Sequence, residues 1–442
     1  MNKEGIKSIV LTFLVLFSGF LTWNIWTYSP NIEKINKTEY INNVAISMKN
    51  ESMATIFIPS QAIYHQEDGH VGTLDNKLIN PLIAKLKDWT FYDLKNVSSE
   101  ITEEKMNSFV HKNGMLEFVF PDNIPFSLYK KILSVEDKEL PDFEFNRILV
   151  SSKMRNGQDN HIYFQSTTDK TIYRLSIVDS KDIDEFKNKV NQDTKAMIPM
   201  LKLNKDIYIP ANALTVKSYN YFIDQISSSD FKNALFTEPN NVSKKHTRDG
   251  EQYSYSNGRS VMNIDNKRMI MTYENLLYNN VYATTPAEIL DRSINYLNDH
   301  SGWEKGYRYA ETDIEAFKTK FRLYVNDLPV FNEYGISEIE QIWGKNEIIQ
   351  YQRPIFSIGS IYDSHNIKEV TLDSGKQALE MLKTQMNVEL NEIEDMTIGY
   401  EMEKKENPKT YIELKPAWFY KMAGEWKQVK SELSGGYPNG LE

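Results

Sequence analysis

The 442-residue chain contains no cysteine. That excludes disulfides, thiolate metal centres and cysteine nucleophiles together. Such a sequence suits a protein exported by an organism that does not rely on disulfides, but cytosolic proteins lack cysteine too, so location stays open. Positive charge is also short: 51 Lys and Arg face 61 Asp and Glu, for a formal net charge of −10. No long Lys/Arg run interrupts that balance, and neither nucleic acid nor an anionic membrane surface finds the basic patch it requires. Catalytic signatures are missing as well. The chain has no GxSxG elbow, no SxxK pair, no phosphate-cradling glycine loop and no dinucleotide fingerprint. No carboxylate pair stands out as an acid/base couple, and EIED (Glu392 to Asp395) sits where alternating surface charge would put it. The sequence reads as non-enzymatic and free of cofactors, with an anchored wall hydrolase or peptidase the weakest of the classes considered.

Histidine is sparse, with seven in the chain: His65, His70, His111, His161, His246, His300 and His365. Only HQEDGH (His65, Glu67, Asp68, His70) resembles a metal cluster. Its spacing is not that of a helical HExxH, and Gly69 places it in a turn. The expectation is a solvated hairpin loop without a metal. Two aromatic runs, KDWTFYD around Trp89 and KPAWFYK around Trp418, read as strand residues packing inward in preference to exposed partner patches.

What the chain does have is aromatic residues, with 26 Tyr and 21 Phe, which favour β-rich domains. Hydrophobic and charged fractions of 40% and 25% are globular values. The length calls for two or three domains. It also has one long hydrophobic run. From Ser8 to Ile32 no residue is charged, and the dense apolar part is Ile9 to Trp26. About 20 helical residues cover the roughly 30 Å hydrocarbon layer. A cleaved leader ends in small residues, whereas this run exits through Trp23, Asn24, Ile25, Trp26, Thr27 and Tyr28. Bulky rings of that kind suit a lipid–water boundary. The reading is an uncleaved single-pass signal anchor, N-terminus cytoplasmic and bulk extracytoplasmic, although Lys34 and Lys37 nearly balance Lys3 and Lys7 across it. On this helix Thr12, Val15, Leu16, Gly19, Thr22, Trp23 and Trp26 share one stripe. Its small and hydroxylic members offer a face on which another membrane helix can pack, or are simply tolerated there.

Beyond Pro30 a polar helical segment, NIEKINKTEYINN, leads into an α+β pattern: antiparallel sheets with helices on one face. NGMLEFVFP, FNRILVSS and HIYFQSTTDKTIYRLSIVD read as a meander, with turns at NGQDN and TTDK. SYSNGRSVMNIDNKRMIMTYEN reads as a hairpin ladder turning at SNGR and IDNK. In the last third, a helix after Thr-Thr-Pro, a Gly-Tyr strand and a hairpin partner are echoed by a helix after Asp-Ser, a second Gly-Tyr strand and its partner. The expected organisation is a cytoplasmic tip at 1–7, the anchor at 8–29, extracytoplasmic domains at 30–200, 201–284 and 285–433, and a flexible tail at 434–442.

The opening EGIKSIVLTFLVLFSGFLTWNIWTY resembles the start of the YycH (WalH) family of low-GC Gram-positive bacteria. NKRMIMTYEN, HSGWEKGYRY and LKPAWFYK follow in the same order as later parts of that family. The resemblance implies a membrane-anchored accessory regulator of the WalK/WalR (YycG/YycF) two-component system in cell-wall metabolism, with a three-domain extracytoplasmic part. It implies association with a similarly anchored YycI protein and with the WalK sensor kinase, largely through transmembrane helices, and no active-site residues. The stripe on the opening helix is then the partner-contacting face. The alternative reading is an extracellular module that senses a cell-wall fragment or peptide.

Overall fold

The structure, a computed structural model, describes residues 3–27 and 50–430 apart from short stretches at 156–159, 179–181, 248–249, 277–284, 301, 346, 363–366 and 407–409. The polar segment after Pro30, the turn NGQDN up to Asp159 and the tail lie outside these residues. The chain forms two units, Met1–Asn43 and Val44–Glu442.

In the first unit a single helix spans Lys3–Thr27. Its side chains are described from Leu11 to Trp23, a stretch of about 20 Å at the helical rise. Among the described residues no helix is both long and apolar enough to cross a membrane.

The second unit is α+β and holds two large sheets. The first is built from β1 (Gln61–Gln66), β2 (Gly69–Thr73), β3 (Thr90–Asn96), β4 (Met115–Pro125), β5 (Ser134–Val135), β6 (Glu144–Ser151), β7 (His161–Ser166), β8 (Thr171–Ile177), β9 (Ile198–Lys202) and β10 (Tyr208–Pro210). Their spatial order is β10-β9-β2-β1-β4-β6-β7-β8-β3-β5. All neighbours run antiparallel except β3 and β5. Helices Asn76–Asp88 and Ile183–Asp193 are amphipathic and lie on one face. Ile79, Leu82, Leu86, Phe186 and Val190 meet Phe91, Phe118 and Phe164 there in the main core. Asp75 starts the first of these helices by accepting the Lys77 N–H at 2.8 Å, which satisfies one of the orphan donors of the first turn. The other face is covered more thinly. Two small clusters, Val97–Val110–Met115–Leu149–Ile172 and Ile63–Val119–Met200–Tyr208, sit apart on it.

The second sheet has fifteen strands between Leu214 and Gln428. The hairpins turning at SNGR and IDNK form as read, with Gly258 at φ +83°, where a side chain is disfavoured. The two echoed units also form. Helix Pro286–Asp299 precedes the pair Tyr307–Asp313 and Lys318–Val325, and helix Gly375–Thr384 precedes Asp395–Glu406 and Thr410–Met422. Thr285 and Ser374 cap these helices by accepting the N–H three residues on. Trp89 and Trp418 are buried in the core, and Trp418 Nε1–H donates to the Asp373 carbonyl at 2.9 Å.

The two sheets meet at a polar seam. Asp122, where β4 bulges, accepts the Thr312 N–H at 3.0 Å, and the Tyr309 hydroxyl donates to the Asn123 carbonyl at 2.7 Å. Farther along, Asn76 Nδ2–H donates to Asp327 at 2.6 Å.

Candidate functional site

In a strand, alternate residues share a face. His65 therefore lies with Ile63, Glu117 with Met115 and Val119, and Arg147 with Leu149, all on the thinly covered face of the first sheet. Register aligns them across strands: His65 opposite His70, Ile63 opposite Glu117, Val119 opposite Arg147, and Arg147 opposite Gln165. The result is a polar stripe from β2 to β7, separating the two small apolar clusters. His65, Glu117, Arg147 and Gln165 are 0%, 1%, 7% and 4% exposed. Groups this deep are retained only if their hydrogen bonds and charges find partners.

Most of them do. Glu117 bridges Arg147 Nε at 2.9 Å and His65 Nε2 at 3.0 Å. Burial alone would raise the Glu117 carboxyl, but the His65 hydrogen bond and the Arg147 charge hold it below the ordinary carboxylate value. On its other side His65 shares a hydrogen bond between its Nδ1 and His70 Nδ1 at 2.9 Å. His111, capping helix Glu103–Val110, donates Nδ1–H to the Asn107 carbonyl and accepts the Tyr208 hydroxyl at Nε2, both at 2.7 Å. Burial, then the charges of His65, His111 and Lys202, push His70 down to about 4. Burial and Lys202 lower His111 too. His70 and His111 are thus neutral around pH 7. Lys202 closes the far end on Asp206 at 2.9 Å.

HQEDGH is therefore a hairpin whose turn, Gln66 to Gly69, is exposed as expected, but whose first histidine is not solvated. The rings of His111 and Tyr208 and the Glu117 carboxylate pack against His65 on the sheet face. Among the described residues no group of three or more His, Cys, Asp or Glu is arranged to hold a metal ion. Sequence reasoning missed Glu117 and Arg147 as a pair. Their signal was present: one lone charge of each sign inside the apolar strands MLEFVF and FNRILV.

The stripe ends at a cavity of about 630 Å³ on the seam between the sheets. Arg147, Gln165, Val119 and Asp122 line it from the first sheet; Asp395 and Lys421 line it from the second. Asp395 thus leaves the solvated face expected of EIED and enters a wall. Burial raises Asp122 to about 6, against the N–H groups of Thr312 and Asn123 and the charge of Lys421. Burial raises Asp395 as well. Lys421 is engaged by Glu311 at 2.9 Å. Burial opposes ionisation of Glu311, yet Lys421 and Lys320 bring it down to about 2. A larger groove of about 1320 Å³ on the second sheet is lined by ions that pair with one another, such as Arg322 with Glu338 and Lys430 with Glu401.

The predicted partner face lies on the opening helix and not at this site. At 100° per residue Thr12, Val15, Leu16, Gly19, Thr22, Trp23 and Trp26 span an arc of about 120°. Val15, Leu16 and Trp23 are 64%, 68% and 71% exposed, and a Cβ on Gly19 would meet nothing within 4 Å. The Thr22 hydroxyl donates to the Ser18 carbonyl at 2.9 Å, one turn back, so its proton is spent within its own helix. The Trp26 side chain lies outside those described.

Fold and site define a two-sheet α+β protein preceded by an apolar helix, with a polar seam between its sheets. The chain belongs to the YycH family: models of the YycH protein N-terminal and C-terminal domains match residues 4–195 and 204–435. It is 23% identical to the "Two-component system WalR/WalK regulatory protein YycH" of Bacillus subtilis (strain 168), over 98% of each chain. Its fold is similar to the crystal structure of YycH from Bacillus subtilis, with TM-score 0.74 and 19% identity over 87% of this chain and 99% of that one.

Proposed function

We propose that this protein is a non-enzymatic accessory regulator of a WalR/WalK two-component system, held at the cell membrane by its opening segment. The observation that carries this reading is the end-to-end match, 98% of each chain, to a relative named as a WalR/WalK regulatory protein. In this reading the uncharged run from Ser8 to Ile32 is the anchor, the N-terminus is cytoplasmic and the bulk of the chain is extracytoplasmic. The stripe from Thr12 to Trp26 packs against the helices of a YycI-like anchored protein and of the WalK kinase, and the body associates with the same partners. A kinase poised between two states needs little bias. A coupling of about 1–3 kcal/mol shifts its population several-fold or more, and helix pairs in membranes supply energies of that order. The test replaces Ile9 to Trp26 with poly-leucine in the full chain. The expected outcome is normal accumulation of the protein with expression of kinase-controlled genes moved to the level of a strain lacking it. Unchanged expression would sink the helix-packing mechanism.

A second reading, an extracytoplasmic module that senses a cell-wall fragment or peptide, is favoured by one observation: the polar cavity at the seam.

A further inference from the structure

We propose that the seam cavity binds a short peptide bearing a free ammonium group. This rests on the second reading above and is independent of how the opening helix acts.

Gln165 carries the first half of the inference. It lines the cavity at 4% exposure, and its side-chain amide, unbonded among the described residues, is reached from the cavity and not sealed in the core. Every other member of the stripe is engaged: Arg147 on Glu117, Glu117 on His65, His65 on His70. An amide presented to a cavity offers a ligand a donor and an acceptor side by side. The N–H and C=O of a single residue in an extended peptide point the same way and satisfy both at once.

The charges supply the second half. Of the cavity's three cations, Arg147 and Lys421 have carboxylate partners, Glu117 and Glu311, and Lys170 is engaged as well. Asp122 and Asp395 do not have cations of their own. Asp122 accepts the Thr312 N–H and Asp395 accepts the Met396 N–H, neutral donors both. The wall is thus left wanting positive charge within reach of an unpaired amide. An ammonium group held by these carboxylates gains charge-assisted hydrogen bonds in a partly desolvated place. A bare metal ion answers the carboxylates and the Gln165 oxygen but leaves the Gln165 N–H donors unmet. An amide plus an ammonium answers both, and a volume of about 630 Å³ leaves room for several residues. Because Asp122 takes up a proton at about 6, acidification through that range removes the charge that the ammonium needs.

The experiment is calorimetric titration of the full chain in detergent with tetra-alanine and with N-acetyl-tetra-alanine. Tetra-alanine is expected to bind, and acetylation to weaken it about tenfold or more. Gln165→Met, which keeps the volume, and Asp395→Asn, which keeps the shape, are each expected to weaken binding about fivefold or more with unchanged circular dichroism. Affinity should fall between about pH 7.5 and pH 5 in the parent protein. Failure of tetra-alanine to bind overturns the proposal. So does equal binding of the acetylated peptide, or wild-type affinity in the Gln165→Met variant. Should Asp395→Asn fail to fold, the acetylated peptide still tests the ammonium contact. None of these outcomes depends on kinase-controlled expression, so this inference can fail while the helix mechanism stands, and the reverse.

Discussion

Two adjoining regions of the body hold buried charge in opposite ways. In the stripe behind the cavity each charge is answered: Glu117 lies between Arg147 and His65, and Lys202 lies on Asp206. At the seam in front, Asp122 and Asp395 are hydrogen-bonded by neutral donors, and Lys421, paired with Glu311, acts on both without bonding either. The first arrangement is finished; the second is not. A fully paired network holds strands in register and returns its desolvation cost through its own bonds. An unneutralised wall costs stability, and such costs cluster where binding happens. The comparison teaches where to look on this molecule, and it can be broken in four places.

The largest expected effect is in the stripe. Glu117→Ala strands a buried guanidinium and removes the acceptor of His65, and should cost about 3–5 kcal/mol in urea denaturation. A cost below about 1 kcal/mol would mean that water reaches Arg147 after all.

The seam should respond with the opposite sign. Asp122 has a folded pKa of about 6 against an ordinary 3.8, so its contribution is fully present below 3.8 and is lost as pH rises through about 6. Asp122→Asn keeps an acceptor for the Thr312 N–H and should therefore stabilise the protein by about 1–3 kcal/mol at neutral pH. A destabilised variant would show that the carboxylate is compensated.

Histidine titration runs the other way. His70 falls from 6.5 to about 4 in the fold. Its contribution is present above 6.5 and is lost as pH drops through about 4, because burial and then the neighbouring positive charges oppose the protonated ring. His70→Gln should flatten the acid limb of the stability–pH curve. The smallest effect belongs to a surface pair, Lys85 with Glu185 at 2.9 Å. Glu185→Ala should leave the urea midpoint unchanged, and a measurable loss would mean that exposed pairs matter here as buried ones do.

Much of the fold was legible. The apolar spacing of ILDRSINYL and the Thr and Ser caps announced the helices, and SNGR and IDNK announced their hairpins. Burial of Trp89 and Trp418 followed from their place in aromatic strands. The site was not legible in the same way. HQEDGH looked like a wet turn because nothing in it shows that His111 and Tyr208, far along the chain, will pack over its first histidine. Asp395 looked like surface charge because its neighbours Glu392 and Glu394 are exposed. The lone charges in MLEFVF and FNRILV were visible, but not that they would be diagonal neighbours.

By itself the sequence determined the secondary-structure pattern, the absence of thiol chemistry, the uncharged opening run and the resemblance to a family that the family models then matched. These depend on local period, composition and motif order, which a chain displays without folding. Only the tertiary structure decided that His65, Glu117, Arg147 and Gln165 form one stripe, that three of them are satisfied and one is not, and that two carboxylates face it across a seam. Strand register sets those pairings between residues many positions apart, and burial then decides which charges must be answered.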